Sequence, residues 1–193
     1  MIAICIYLLA GLVFHKALWE VLKRRGRGAG RTNERKSLTA WAAWGVKLGI
    51  LLGIVAQTVW VGGERYFLRI ADDGTVLHGV GLVIYTLGLA LAVAGRLQLG
   101  DNWSDIEAGD IQQKHNVVDR GVYRFIRHPI YMGDLLLLAG LEAALNSWLI
   151  VGVALLTPVV MWKAMQEEKG LMTSVNGYAD YAKRTRRFVP WVF

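Results

Sequence analysis

Residues 76–97 read VLHGVGLVIYTLGLALAVAGRL, and this stretch decides the fold class. Its only formally charged residue is Arg96, close to its C-terminal end. An apolar helix crosses the hydrocarbon core of a bilayer in about 20 residues, within a range of about 17–25. The stretch Val76–Leu97 has that length, so it predicts a transmembrane helix.

Four further apolar stretches flank this one. They are Ile2–Trp19, Leu38–Val61, Pro129–Leu145 and Trp148–Met165. Numbered along the chain, 76–97 is the third of the five stretches, and the fourth, Pro129–Leu145, only just reaches the necessary length. A soluble domain of 193 residues rarely carries five such runs, and 54% of this sequence is hydrophobic. The sequence therefore predicts an all-α integral membrane bundle of five transmembrane helices. We expect it to form a single membrane domain over residues 1–193.

The distribution of basic residues predicts the orientation of this bundle. Lysine and arginine concentrate in the loops 20–37 and 98–128 and in the tail 166–193. The loop 62–75 balances two arginines with three acids, and the turn Asn146-Ser147 carries no charge. Because positively charged loops remain in the cytoplasm, we expect the N-terminus outside and the C-terminus inside. The first stretch is followed, not preceded, by positive charge, so we expect a retained helix and not a signal peptide.

Charge and cysteine content narrow the classes of function. The net charge of +7 is compatible with nucleic-acid binding, but the basic residues lie beside long apolar runs, so we expect no nucleic-acid partner. Cys5 is the only cysteine, which excludes an intrachain disulfide and a cysteine-based metal site. The four histidines lack the spacing of helical metal ligands, so we expect no metal.

Two rows of glycine lie on single helical faces. In the second apolar stretch glycine recurs every fourth residue, at Gly45, Gly49 and Gly53. In the third stretch it recurs every seventh residue, at Gly81, Gly88 and Gly95. Small residues on one face allow two helix backbones to approach closely. These rows predict helix packing inside the bundle, with a homodimer seam as the alternative.

The segment Arg127-His128-Pro129 leads into the fourth apolar stretch, which begins at Pro129. Proline disfavours a helical conformation in the residue before it and suits the first turn of a helix, so Pro129 is expected to begin a helix. Arg127 and His128 would then stand at a helix N-terminus, whose free N–H groups and partial positive charge suit a carboxylate. Tyr131 and Met132 would lie in the first turn. The alternative is that all of these are ordinary residues of the membrane interface.

Acidic residues lie in and beside the last two apolar stretches. Glu167 and Glu168 follow the fifth stretch directly, where two negative charges oppose the helix dipole. Acids at such an unfavourable position suggest a function. One of them could pair with Arg127, bind ribose hydroxyls or face a positive charge. The alternative is a pair of solvated tail residues. Glu142, near the end of the fourth stretch, is expected to reach the outer surface.

At these residues the sequence resembles the isoprenylcysteine carboxyl methyltransferase family and its bacterial and phospholipid N-methyltransferase relatives. The resemblance runs from about Leu97 to Trp191. Its motifs, in order, are His115-x-Val-Val, Gly121-x-Tyr, Arg-His-Pro-x-Tyr-x-Gly at 127–133, and Glu167-Glu168 followed by Gly-Tyr-x-x-Tyr.

The resemblance implies a cytoplasmic pocket for S-adenosylmethionine, formed by the loop before the fourth helix and the tail after the fifth. Residues 98–193 would be the methyltransferase core, and 1–97 would provide packing and access for the acceptor. The implied catalytic residues are Arg127 and Glu168. The implied cofactor contacts are His115, Val117, Val118, Gly121, Tyr123, His128, Pro129, Tyr131, Met132 and Glu167.

Two positions depart from the pattern, and they leave alternatives open. Val117 replaces the leucine common in the family, and Asp134 stands where many relatives have an apolar or aromatic residue. Membrane sterol reductases often have an acid at the latter position, although they typically have asparagine where this chain has Ile130.

The leading hypothesis is methylation of a lipophilic acceptor at the membrane, most specifically of an isoprenylcysteine-like carboxylate. A phospholipid or another lipid amine is the alternative acceptor. A reductase that uses NADPH and a non-catalytic lipid-binding membrane module are the competing functions. The expected partners are membrane lipids and a lipophilic or prenylated acceptor.

Overall fold

The computed structural model describes residues 1–26, 45, 49, 52–59, 69–100 and 117–189. Its α-helices are α1 (Ile2–Gly26), α2 (Thr75–Leu99), α3 (Pro129–Ala144), α4 (Ile150–Ser174) and α5 (Tyr178–Arg184). A 3-10 helix covers Gly121–Arg124, and residues 52–59 are also helical. Within these ranges no β-strand forms, so the all-α prediction is confirmed there. The chain divides into two compact units, Met1–Arg69 and Ile70–Phe193.

Three of the described helices are long and apolar enough to cross a membrane, by length and composition. They are Ile2–Leu22 within α1, Thr75–Leu99 and Ile150–Ser174. The fourth predicted span, α3, has only 16 residues and a length of about 24 Å, which is shorter than a hydrocarbon core of about 30 Å. Most of the second predicted span lies outside the described residues. Five spans, the orientation and the single domain over 1–193 therefore remain predictions.

Helices α2 and α3 pack backbone against backbone. A Cβ atom added to Gly88 would lie 2.8 Å from the carbonyl oxygen of Gly133, and one added to Gly140 would lie 2.6 Å from the Cα atom of Tyr85. A Cβ atom on Gly81 would likewise collide with the backbone of Ala144. Glycine is therefore required for this close approach. The glycine row of the third apolar stretch serves packing within the chain, which confirms one of its two interpretations.

The glycine row of the second apolar stretch meets no such neighbour among the residues that the structure describes. A Cβ atom added at Gly45, Gly49 or Gly53 has nothing within 4 Å. The homodimer seam therefore stays a prediction for that row alone.

A tight turn at Asn146 joins α3 to α4, as predicted. Asn146 adopts a left-handed conformation with φ 53°, which asparagine tolerates better than most residues. Its side-chain amide donates to the carbonyl of Ala71 at 2.6 Å and accepts from the Ala71 N–H at 3.1 Å. The prediction for Glu142 is wrong, because this residue is only 5% exposed. It is buried because the last turn of α3 packs directly against α2.

The lengths of α3 and α4 determine which residues of the two helices meet. Each helical residue advances about 1.5 Å, so α4 needs about 16 residues to return to the level of Pro129. Because α4 begins at Ile150, its residues 166–168 arrive beside the start of α3. The helical hairpin therefore brings Glu167 and Glu168 to the level of Arg127 and His128.

Candidate functional site

The carboxylate of Glu168 lies at the centre of a buried ionic cluster. Its Oε1 atom accepts a hydrogen bond from Nε of Arg127 at 2.7 Å and lies 3.1 Å from Nε2 of His128. Its Oε2 atom accepts a hydrogen bond from Nε of Arg187 at 3.0 Å. The side chains of Glu168, Arg127 and His128 are only 6%, 9% and 4% exposed. Charges buried to this degree are tolerated only when they are paired and hydrogen-bonded.

Arg127 is held by its backbone as well as by its side chain. Its N–H donates to the carbonyl of Arg186 at 2.7 Å, beside a parallel bridge between Ile126 and Arg186. Its Nη1 atom donates to the carbonyls of Ala182, at 2.8 Å, and Thr185. These carbonyls lie at the C-terminal end of α5, where a cation is favourable. Arg127 therefore joins the start of α3 to α4 and to the end of α5.

His128 is the residue that precedes the first turn of α3. Pro129 is the first residue of the helix, as predicted. Within the described part of the chain, the His128 side chain makes no capping hydrogen bond to this helix N-terminus. The His128 ring contacts two aromatic rings, with its centroid 5.6 Å from those of both Tyr131 and Phe188. Glu168 and these two aromatic contacts thus fix the orientation of the His128 ring.

Glu167 and Glu168 lie inside α4 and not after it, which corrects the sequence interpretation. The apolar stretch ends at Met165, but the helix continues to Ser174. A helix does not need an apolar sequence once it leaves the hydrocarbon, so the apolar boundary underestimated its length. Glu167 is half-buried, and a hydrogen bond joins its side chain to that of Tyr131. The two neighbouring acids therefore have different partners, both at the start of α3.

A second group of predicted residues surrounds the 3-10 helix. Gly121 has φ +60°, and the Gln98 side chain occupies the place where a Cβ atom would be. The Oε1 atom of Gln98 accepts from the N–H of Val122 at 2.8 Å. The hydroxyl of Tyr181 donates to the carbonyl of Tyr123 at 2.8 Å. These bonds attach the segment before α3 both to the end of α2 and to α5.

Three tyrosines of this region are buried. Burial raises the pKa of Tyr123, Tyr178 and Tyr181 above the ordinary value of the phenol. Their hydroxyl groups therefore remain protonated at neutral pH. Val175, Tyr178 and Tyr181 form a small apolar cluster, against which Val117 packs.

Comparison with known proteins assigns the chain to a family. The family model described as phospholipid methyltransferase matches residues 76–179, which is more than half of the chain. The chain belongs to the phospholipid methyltransferase family. The matched residues include α2, the 3-10 helix, α3 and α4, and therefore Arg127, His128, Glu167 and Glu168. Arg187 lies beyond the matched residues.

Curated proteins of similar sequence extend this comparison. The cobalt-zinc-cadmium resistance protein CzcN of Cupriavidus metallidurans is 32% identical over 120 residues, covering 61% of this chain and 53% of that protein. The protein-S-isoprenylcysteine O-methyltransferase of Xenopus laevis is 27% identical over 121 residues, covering 61% and 42%. The Schizosaccharomyces pombe protein of the same name is 28% identical over 112 residues, covering 55% and 46%. The chain spans about half the length of these relatives.

The structure brings most of the predicted site residues of this family member together. Arg127, His128 and Glu168 are in direct contact, and Glu167 contacts Tyr131. Met132 lies half-buried in the first turn of α3, and Val118 lies half-buried just before the 3-10 helix. His115 lies outside the described residues. The roles of all these residues stay predictions.

Sequence reasoning missed three residues of the site. Arg187 and Phe188 contact Glu168 and His128, and Gln98 holds the 3-10 helix. Arg187 was counted only among the basic residues of the tail, together with Arg184 and Arg186. The one available signal was the arginine-aromatic pair Arg187-Phe188 before Pro190.

Proposed function

We propose that this chain is a membrane methyltransferase that uses S-adenosylmethionine and acts on a lipophilic acceptor. The observation that carries the proposal is the contact of Arg127 and His128 with Glu168, within the residues that the phospholipid methyltransferase family matches. It joins the two segments on which the sequence resemblance depends. The long apolar helices support a location in the membrane.

The residues at this site fit the chemical groups of S-adenosylmethionine. Among the described residues His128 does not cap the N-terminus of α3, and backbone N–H groups at a helix N-terminus suit the carboxylate of the methionine part. The half-buried side chain of Tyr131 offers aromatic surface for an adenine ring. Glu167 is a half-buried carboxylate one residue from Glu168, suited to ribose hydroxyls or to the positive charge on sulfur. The bound cofactor would supply a methyl group on a positively charged sulfur.

We propose that Glu168 and Arg127 act by building the site. Both carboxylate oxygens of Glu168 already contact nitrogen atoms, and Arg127 uses Nε and Nη1 within the chain. Arg127 could bind an acceptor carboxylate through these two nitrogens only by losing its hydrogen bond to Glu168. Correct alignment of two reactants and exclusion of water are together worth up to about 7–11 kcal/mol. The rigidity of this cluster is the means by which the chain would achieve them.

The acceptor class follows from the relatives and from the need for a base. The relatives named protein-S-isoprenylcysteine O-methyltransferase favour a prenylcysteine carboxylate, which attacks the methyl carbon without losing a proton. The family described as phospholipid methyltransferase favours a lipid amine as the second candidate. An amine must lose its proton, and Glu167 is then the candidate base. The proposed site lies on the cytoplasmic side.

Two measurements on detergent-purified protein test this function. Titration calorimetry should detect binding of S-adenosylhomocysteine and no binding of NADPH; binding of NADPH alone, or of neither, would refute the methyltransferase. Radiolabelled methyl transfer should then be measured into farnesylcysteine analogues and into a lipid extract. A methyl ester is released as methanol by mild alkali, whereas an N-methyl group is not. Alkali-labile product therefore supports the carboxylate acceptor, and alkali-stable product supports the amine.

A further inference from the structure

The last described residues form a strap across the site. We use the name C-terminal strap for residues 185–188, which follow α5. The strap runs parallel to residues 125–128: the N–H of Arg186 donates to the carbonyl of Phe125 at 3.2 Å, and the N–H of His128 donates to the carbonyl of Arg187 at 3.0 Å. The bridge between Ile126 and Arg186 lies between these two bonds. The strap is thus fixed to the segment that leads into α3.

Two side chains of the strap contact the ionic cluster. Phe188 stacks against the His128 ring, with an angle of 32° between the ring planes. Arg187 donates from Nε to Oε2 of Glu168, whereas Arg127 and His128 both contact Oε1. The Arg187 side chain is 34% exposed, so it reaches the buried carboxylate from the surface.

The two oxygens of Glu168 are therefore held from different directions. The terminal torsion of a glutamate is broad and roughly two-fold, so contacts to one oxygen leave the carboxylate plane free to turn. A hydrogen bond to the second oxygen fixes that plane. Arg187 supplies this second contact, and the position of Glu168 in turn determines the direction of the Arg127 guanidinium and the His128 ring.

We propose that Arg187 is a positioning residue of the methyl-transfer site, which acts by fixing the carboxylate of Glu168. The Arg187 side chain is then a part of the active site, although it lies beyond the residues matched by the family. This inference rests on the proposed function, since it assumes that methyl transfer takes place beside Glu168.

The test compares Arg187→Gln, Arg187→Lys and Arg186→Gln. Arg186 is a matched control, because it has the same charge, lies next to Arg187 in the strap and has an exposed side chain. The readout is kcat per site that binds S-adenosylhomocysteine, which does not change if a variant merely lowers the folded fraction. Arg187→Gln should lower this kcat on the order of 10- to 100-fold, as expected for a small misplacement of reacting groups. Arg187→Lys should recover part of the loss, and Arg186→Gln should leave it unchanged.

Each outcome decides the proposal. Equal activity of Arg187→Gln and Arg186→Gln in an active wild-type background would overturn the positioning role and leave the methyltransferase intact. If Arg187→Gln does not fold, Arg187→Lys decides: a partial loss of kcat supports the role, and wild-type kcat overturns it. A wild-type protein that neither binds S-adenosylhomocysteine nor transfers methyl groups would instead refute the proposed function, and this proposal with it.

Discussion

Replacing Glu168 by alanine should destabilise the protein strongly as well as inactivate it. Glu168→Ala removes the carboxylate and leaves Arg127, whose side chain is 9% exposed, as a buried cation without its carboxylate partner. Breaking a buried ion pair in this way costs about 3–5 kcal/mol. Arg127 keeps the carbonyls of Ala182 and Thr185 as acceptors, so we expect the lower end of that range, about 3 kcal/mol. For a chain of this size that corresponds to a fall of about 6–12 °C in the unfolding midpoint.

The assay is thermal unfolding in detergent, followed by circular dichroism, with Asp180→Ala as the control. Asp180 also lies in an ion pair, with Lys183, but the two side chains are 77% and 75% exposed. Because water already solvates both charges, Asp180→Ala should leave the midpoint unchanged within error. The same preparations should be titrated with S-adenosylhomocysteine, which should bind Asp180→Ala as tightly as wild type.

A double variant separates the lost ion pair from lost packing. Arg127→Ala combined with Glu168→Ala removes both partners of the buried pair, and the remaining Arg187 side chain is 34% exposed and in contact with water. The fall in the midpoint should therefore be smaller than the sum of the falls of the two single variants. The reasoning is refuted if Glu168→Ala unfolds at the same temperature as Asp180→Ala. It is also refuted if the double variant shows simple additivity.

Two further predictions concern packing and topology. Gly88→Ala should lower the free energy of unfolding by about 1–3 kcal/mol, because the added Cβ atom meets the α3 backbone. Gly79→Ala in the same helix is the control: its Cβ atom meets nothing within 4 Å, so the variant should be neutral or stabilising. Equal unfolding midpoints of the two variants would contradict the close packing of α2 and α3. In a Cys5→Ser background, a cysteine placed at Asp73 should react with an impermeant reagent outside intact cells and one placed at Asp180 should not. The reverse labelling would overturn the proposed orientation.

The sequence predicted those parts of the site that local rules determine. Pro129 marked the start of α3, the glycines at 81 and 88 marked the face that packs on it, and Asn146-Ser147 marked the turn. Together with the helical rise, these are sufficient to place Glu168 level with Arg127. The pairing of the strap with residues 125–128 had no such signal. It joins segments about 60 residues apart through backbone hydrogen bonds, and a single bridge leaves no alternating pattern of side chains.

The ionic cluster is buried because the start of α3 is itself buried. Helix α4 has 25 residues and exposes apolar side chains such as Leu155 and Trp162, as expected of a helix that faces lipid. Helix α3 has only 16 residues and buries its glycine face against α2, and Pro129 at its N-terminus is fully buried. Arg127 lies beside this buried start, where its positive charge is tolerated only beside a partner. Glu168, on the longer neighbouring helix, provides that partner. The buried start of α3 therefore requires an acid at this level of α4, whether or not that acid takes part in the chemistry.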